Sequence, residues 1–405
     1  MSPRLAVVVV IFLAVPSSAF QLRKDSQGDV VRWPGKVEFV IDARLAHDLG
    51  EANAEAAVRA AIAALAEATP SCEVKVRVGT VTGLGYQVGA SDNQNDIMAL
   101  EDWPYDGNAL AATVVTLNAS TNEIIDADIV FNAENHHFRV VDELGPNEKT
   151  LVKSERLDDV QNTVTHELGH ALGLLHNETD STVVMYPSAG PLEVSKRVLA
   201  ADDKAGLLEL YATPFENDGV GCSSTAGFAT PLAIVALLGI FLRRARARAA
   251  VLLVAAPLWA FASEPVDRVA SDLESADEVS VARVKAKSSI RLPGNPRLIF
   301  TDVELEVGEC VKGSCPARRV VRVPGGRLGD IEQVVAHQPV PALDEQILFI
   351  KTSRSPRVVR VSDATDQTLI RGAFERARLS LPVSLVPQTS AQPRAGGAQA
   401  PGFAR

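Results

Sequence analysis

Cysteine is scarce in this chain of 405 residues. There are four, Cys72, Cys222, Cys310 and Cys315, too few for a disulfide scaffold to stand in for a hydrophobic core. A surplus of positive charge is also lacking. The formal net charge of −10 argues against nucleic acid as the main partner, because a phosphate backbone is met by clustered Lys and Arg. The apolar runs at 228–242 and 249–262 are each shorter than the roughly 20 residues that span a bilayer as a helix. What the chain does have is apolar content: 46% hydrophobic against 22% charged residues. That excludes global disorder, and the length suggests two or three domains.

One stretch carries a chemistry. Residues 165–176 read Thr-His-Glu-Leu-Gly-His-Ala-Leu-Gly-Leu-Leu-His, the H-E-x-x-H-x-x-G-x-x-H pattern of extended zinc-protease sites. On a helix, His166 and His170 lie four apart on one face and can hold one metal from successive turns. Glu167 adjoins the first ligand and can reach a water at the metal without taking a coordination position. Gly173 lets the chain leave the helix at little steric cost, so His176 can return as a third ligand. Three imidazoles leave a fourth position open, which marks a catalytic rather than a structural zinc. Val183-Val184-Met185-Tyr186-Pro187 follows a short loop later, where a turn carrying Met185 would floor the site. A pair of histidines four apart arises by chance on many solvated helices; five positions in one register do not.

The segment from about Trp33 to Tyr211 resembles the metzincin metalloproteases, most closely their matrixin branch. The likeness rests on the His166–His176 run, the Met185-Tyr186-Pro187 turn, and Ala201-Asp202-Asp203 with Gly206 and Leu210-Tyr211. It implies an α+β catalytic domain, a mixed twisted sheet with an active-site helix. It also implies zinc-dependent endopeptidase activity, with His166, His170 and His176 as metal ligands, Glu167 as general base and Met185 packed beneath. Tyr186 directly follows Met185 and so does not match the metal-ligating tyrosine of some metzincins. Matrixins hold a second, structural zinc partly through a histidine in the edge strand of the sheet. The matching position here is Ala112, and His136 and His137 are adjacent side chains that diverge at the surface. One catalytic zinc is therefore expected without the structural one; calcium is a further candidate cation. The resemblance also makes 111–117 the edge strand against which an extended peptide substrate is laid. No propeptide cysteine motif of the matrixin kind is visible, and Cys72 falls after the catalytic domain has begun.

Local patterns place elements around the motif. Strands are expected at 36–42 and 73–78 by alternation, with a third opening at 95–98 and two more at 111–117 and 126–131. An Ala-rich helix is expected over 52–68, and loops over 83–89 and 91–95. Asp158 with Gln161 resembles a capping box for the active-site helix, which runs to about Leu172. Asp202 and Asp203 either cap a final helix through Leu210 or, as in matrixins, enter an ion pair within the domain.

The ends point outward from the cytoplasm. Arg4, an apolar run over 5–15 and Ser17-Ser18-Ala19 read as a signal peptide, 1–19. The catalytic domain is then 20–218. Gly221-Cys222-Ser223, the apolar run 228–242 and the arginines Arg243, Arg244, Arg246 and Arg248 resemble the C-terminal sorting tail of myxobacterial surface proteins (219–248). A plain membrane anchor through 228–242 with positive-inside arginines is the alternative. Either places the protease at the cell surface, on the outer membrane or in the extracellular space.

A second signal-like segment, 249–263, then precedes a β-rich domain, 264–380. Two accounts stand open: two secreted proteins joined in one frame, or a hairpin of two apolar runs. The C-terminal domain is expected as a small all-β barrel or sandwich, with strands at 279–284, 298–307, 319–323 and 346–350. Turns are expected at 324–326 and 329–330, and Cys310–Cys315 as a disulfide, or less well as a two-cysteine metal site. A disordered tail is expected from 381 to 405. The function read from sequence is a secreted or surface-anchored zinc endopeptidase. The alternative is a non-catalytic zinc-containing adhesion module, which has no use for Glu167.

Overall fold

The computed structural model describes residues 20–24, 28–79, 94–105, 107–144, 157–213, 264–292, 295–336, 338, 340–352, 356–361 and 364–385. The expected signal peptide, the expected loops at 83–89 and 91–93, the segment read as a sorting tail, both C-terminal apolar runs and the stretch 387–405 lie outside them. Among the described residues no helix is long and apolar enough to cross a membrane.

In chain order the strands are β1 (Gln21–Leu22), β2 (Val37–Ile41), β3 (Val74–Val78), β4 (Asn95–Leu100), β5 (Ala111–Asn118), β6 (Glu123–Asn132), β7 (His137–Arg139), β8 (Leu157–Asp159) and β9 (Leu174–Leu175). They continue as β10 (Glu278–Leu292), β11 (Asn295–Lys312), β12 (Arg318–Pro324), β13 (Gly326–Leu328), β14 (Ile331–Val335), β15 (Gln346–Lys351) and β16 (Pro356–Arg360). The α-helices are α1 (Leu45–Asp48), α2 (Ala54–Ala66), α3 (Val160–Ala171), α4 (Ala201–Tyr211), α5 (Glu264–Ser275) and α6 (Ala364–Arg376).

A seven-stranded sheet runs β13-β14-β5-β6-β4-β2-β3. From β6 outward through β4, β2 and β3 the pairings are parallel, whereas β5 runs antiparallel to β6. The result is the mixed sheet expected for an α+β domain. Parallel neighbours need a crossover, and α2 supplies the one between β2 and β3. Phe39, Ile41, Ile97, Val115, Ile129 and Phe131 from the sheet meet Val58, Ile62, Leu65, Val164 and Leu168 from α2 and α3 in one core. Helix α3 contains Val160, Thr163, Val164 and Thr165, each costing a few tenths of a kcal/mol in intrinsic propensity. All of them are buried, and tertiary packing outweighs that cost.

The C-terminal part builds a five-stranded antiparallel sheet, β12-β11-β10-β15-β16. The expected strands are there, extended into long ribbons in β10 and β11. Two helices that the strand-dominated reading did not include, α5 and α6, cover one face. Val269, Leu273, Ile370 and Phe374 from them pack on Val279, Val281, Leu348 and Ile350. Leu273 and Phe374 are each 1% exposed or less, so these helices are part of the core. Cys310 and Cys315 form a disulfide. Residues 381–385, read as the start of a disordered tail, are instead held down. The Glu309 carboxylate accepts hydrogen bonds from Val383 N, Ser384 N and Ser384 Oγ at 3.0, 3.0 and 2.7 Å.

One expectation is corrected by topology. Strand β5 is not an open edge: β14 of the C-terminal part pairs with it antiparallel, Ile331 opposite Asn118 through Val335 opposite Val114. Sequence patterning could not foresee this, because β14 is short and its partner lies more than 200 positions earlier.

Candidate metal centre

Helix α3 begins one residue later than the capping pattern implied. The N-cap is Asp159, whose Oδ1 accepts from Asn162 N at 2.8 Å. Asp158 instead faces His136, with Oδ2 3.4 Å from Nδ1. The cap is also a charge site: Arg197 donates to both Asp159 oxygens and to Asp142. The Asp159 hydrogen bond is the main reason the Arg197 guanidinium is held protonated even more firmly than usual.

From this fixed start, the helix brings His166 and His170 onto one face. Gly173 takes φ +104°, and a Cβ there would sit 2.9 Å from the Val31 carbonyl oxygen, so only glycine fits the exit. The chain then pairs β9 with β1, which delivers His176 to the same point. The three imidazoles each offer a nitrogen, all within 4.8 Å of one another. His170 Nε2 and His176 Nε2 lie 3.1 Å apart.

Two nitrogens bound tetrahedrally to one zinc would be about 3.3 Å apart, given Zn–N bonds of about 2.0–2.1 Å. The rings are also pre-oriented. His166 Nδ1 donates to the Val184 carbonyl at 2.6 Å and His170 Nδ1 to the Leu174 carbonyl at 2.9 Å. A carbonyl can only accept, so these bonds put the proton on Nδ1 and leave the Nε2 lone pairs for a metal. The trio fits zinc.

The floor beneath it is built by contact. A Cβ on Gly169 would lie 2.3 Å from Met185 Sδ, so the methionine sits directly against the helix backbone between the two histidines. Its turn is held by Asp203, which is 1% exposed. The carboxylate accepts from Val184 N at 2.9 Å, Met185 N at 3.1 Å and Ala200 N at 2.9 Å. Burial raises the Asp203 pKa, and the three N–H groups only partly counter it. Asp203 thus caps α4 from its third helical position, with Ala200 as the N-cap, and clamps the turn by backbone bonds. Asp202 accepts from Asn177 Nδ2 at 2.9 Å.

Glu167 is 3% exposed. Thr113 Oγ1 on β5 donates to its Oε2 at 2.6 Å and lies 3.0 Å from its main-chain carbonyl oxygen. The far end of α3 is closed by two side chains: Trp33 Nε1 donates to the Ala171 carbonyl at 2.9 Å, and Tyr211 OH to the Leu172 carbonyl at 2.7 Å. Lys196, 3% exposed, donates through Nζ to the carbonyls of Tyr186 and Ser188, both at 2.6 Å. It ties down the loop that follows the methionine turn. Thr113 and Lys196 went unseen in the sequence. A threonine in a β-branched run and a lysine beside an arginine carry no local mark of burial.

The remaining expected residues fall elsewhere. Ala112 is buried in β5 and offers no ligand atom. His136 is not at the surface as expected, its side chain being 10% exposed beside Asp158; His137 is exposed. Tyr186 is buried, its carbonyl held by Lys196. Cys72 is free and buried, and that burial pushes its thiol up to about 12.

Comparison with known proteins agrees with this geometry. The matrixin family model matches residues 34–212. Over 58 residues the chain is 48% identical to Metalloendoproteinase 1-MMP of Arabidopsis thaliana, covering 14% of this chain and 15% of that protein. Over 49 residues it is 45% identical to macrophage metalloelastase of Oryctolagus cuniculus, covering 12% of this chain and 10% of that one. The chain thus spans a small part of the length of either relative. Among solved structures, metalloproteinase-II from Bacteroides fragilis aligns with 48% of this chain and 59% of its own. Its sequence identity is 14% and its TM-score 0.25, too low to weigh on the fold. Residues 34–212 are thus similar to the matrixin family, and their three clustered imidazoles fit the catalytic zinc that the family uses.

Proposed function

We propose that this protein is an exported zinc endopeptidase that hydrolyses peptide bonds in extended protein segments. The observation that carries the reading is Glu167, a buried carboxylate tethered by Thr113 on the helix turn between His166 and His170. Bound zinc would supply Lewis acidity, lowering the pKa of its water toward about 7 and polarising a carbonyl. His166, His170 and His176 would hold the ion, with the Nε2 lone pairs of His166 and His170 freed for it by the Nδ1 bonds to Val184 and Leu174. Glu167 takes the proton from the attacking water and delivers it to the leaving nitrogen. The Thr113 hydroxyl keeps the carboxylate in one rotamer, and Met185 keeps the ligand helix from settling toward the turn. A zinc module used only for adhesion would have no need of a carboxylate at that position.

The reading includes export: 1–19 is a signal peptide, and mature protein beginning at Phe20 in the culture medium or at the cell surface is the expected product. The activity test uses the full chain on casein and on quenched peptides, with and without chelator, beside Glu167→Ala. Zinc content should be unchanged in Glu167→Ala, while turnover falls by at least about 100-fold, the usual size of a general-base contribution. Cleavage that survives both chelation and Glu167→Ala would sink the proposal.

A further inference from the structure

We infer that the C-terminal unit, 264–385, is an inhibitory module whose strand β14 lies where an extended peptide would bind, so that the intact chain is latent. The inference rests on the peptidase reading above.

The pairing of β14 with β5 runs up to the catalytic carboxylate. Beyond Val335, Ala336 N donates to the Thr113 carbonyl at 2.8 Å, and the hydroxyl of that same Thr113 holds Glu167. At the other end, Ala119 N donates to the Asp330 carbonyl at 2.8 Å. In an antiparallel ladder hydrogen-bonded pairs alternate. Between these two ends the bonded pairs are therefore Glu332 with Leu117 and Val334 with Val115. From the Thr113 carbonyl to the Ala119 amide, the outward-facing backbone groups of this edge are thus paired with the protein's own C-terminal unit. Adding a strand to a sheet edge is how extended peptides are commonly bound, and β14 makes that addition intramolecularly.

The contact is also apolar and anchored. Val335 and Leu298 are 2% and 4% exposed. They pack in one apolar cluster with Met98, Trp103, Ala112 and Val114 of the matrixin segment. Gln333, 1% exposed, accepts from Ile299 N at 2.6 Å, which fixes β14 to its own unit. Ser120 Oγ meets Asp330 Oδ1 at 3.0 Å and Asn108 Nδ2 meets Asp272 Oδ1 at 3.3 Å, at separate points of the interface. A peptide substrate has to displace this strand before it can reach the metal centre.

The test uses the full chain and two variants. Val334→Pro removes a ladder N–H on the side facing β5. Val335→Asp puts a charge into the shared cluster and leaves the backbone donor in place. Hydrogen exchange reads occupancy and peptide cleavage reads latency. In the wild type, the Val115 and Leu117 amides should be protected. In each variant they should lose protection while Val281 and Leu348 amides in the five-stranded sheet keep theirs. If the edge is open about 1% of the time in the wild type, cleavage should then rise by about 100-fold.

Unprotected Val115 and Leu117 amides in the wild type would overturn the inference. So would lost protection with an unchanged cleavage rate. If protection behaves as expected but no variant cleaves any peptide, it is the peptidase reading that fails, since occupancy has then been measured without it.

Discussion

Thr113 and Glu167, 54 positions apart, are joined by a 2.6 Å hydrogen bond from a strand hydroxyl to a helix carboxylate. The same threonine accepts from Ala336 through its carbonyl, so one residue touches both the Glu167 carboxylate and the chain that continues β14. Thr113→Val keeps the shape and removes the donor. A lost hydrogen bond to a charged group is worth about 1.5–3 kcal/mol, so kcat should fall by about tenfold or more. Zinc content should be unchanged. Steady-state kinetics beside metal analysis checks this.

Gly169 sets how close Met185 can come to the ligand helix. Gly169→Ala would place a methyl 2.3 Å from Sδ, and the methionine must move. Overpacking of this kind costs about 1–3 kcal/mol. Urea unfolding should show that loss, and competition with a zinc-sensitive chelating dye should show weaker metal retention.

Asp203 predicts a pH dependence with a definite sign. Its carboxyl pKa is raised in the folded state, first by burial. A raised folded pKa means that the protonated form is the one favoured by folding. The contribution is therefore fully present below the ordinary aspartate value and is lost as pH rises through the raised value. The stability of wild type relative to Asp203→Asn should decline with rising pH across that window. Comparing the two proteins at each pH cancels the effect of metal loss on acidification.

Arg197 and Asp159 form a coupled pair at the start of the ligand helix, the Asp159 side chain fully buried and that of Arg197 14% exposed. Arg197→Met strands the carboxylate and should cost about 3–5 kcal/mol, as for other broken buried pairs. Asp159→Asn keeps part of the cap and should cost less. The double variant should be less destabilised than the sum of the two, in a cycle measured by denaturant unfolding.

By itself the sequence determined the metal chemistry and the strand-and-helix framework. His166, His170 and His176 are brought together by helical periodicity and one glycine exit, both local properties of twelve residues. The strands at 37–41 and 74–78 follow from alternation over a few positions, that at 111–118 from a β-rich run, and the Cys310–Cys315 bond from a short spacing. What only the tertiary structure decided depends on partners far apart in the chain. Thr113 became the carboxylate's tether, Asp203 the clamp of the methionine turn and Lys196 a buried strut, each through a hydrogen bond whose other half lies in another element. The largest such decision concerns the sheet edge. Whether β5 faces solvent or β14 is a matter of backbone groups finding partners more than 200 positions away, and no local propensity encodes that pairing.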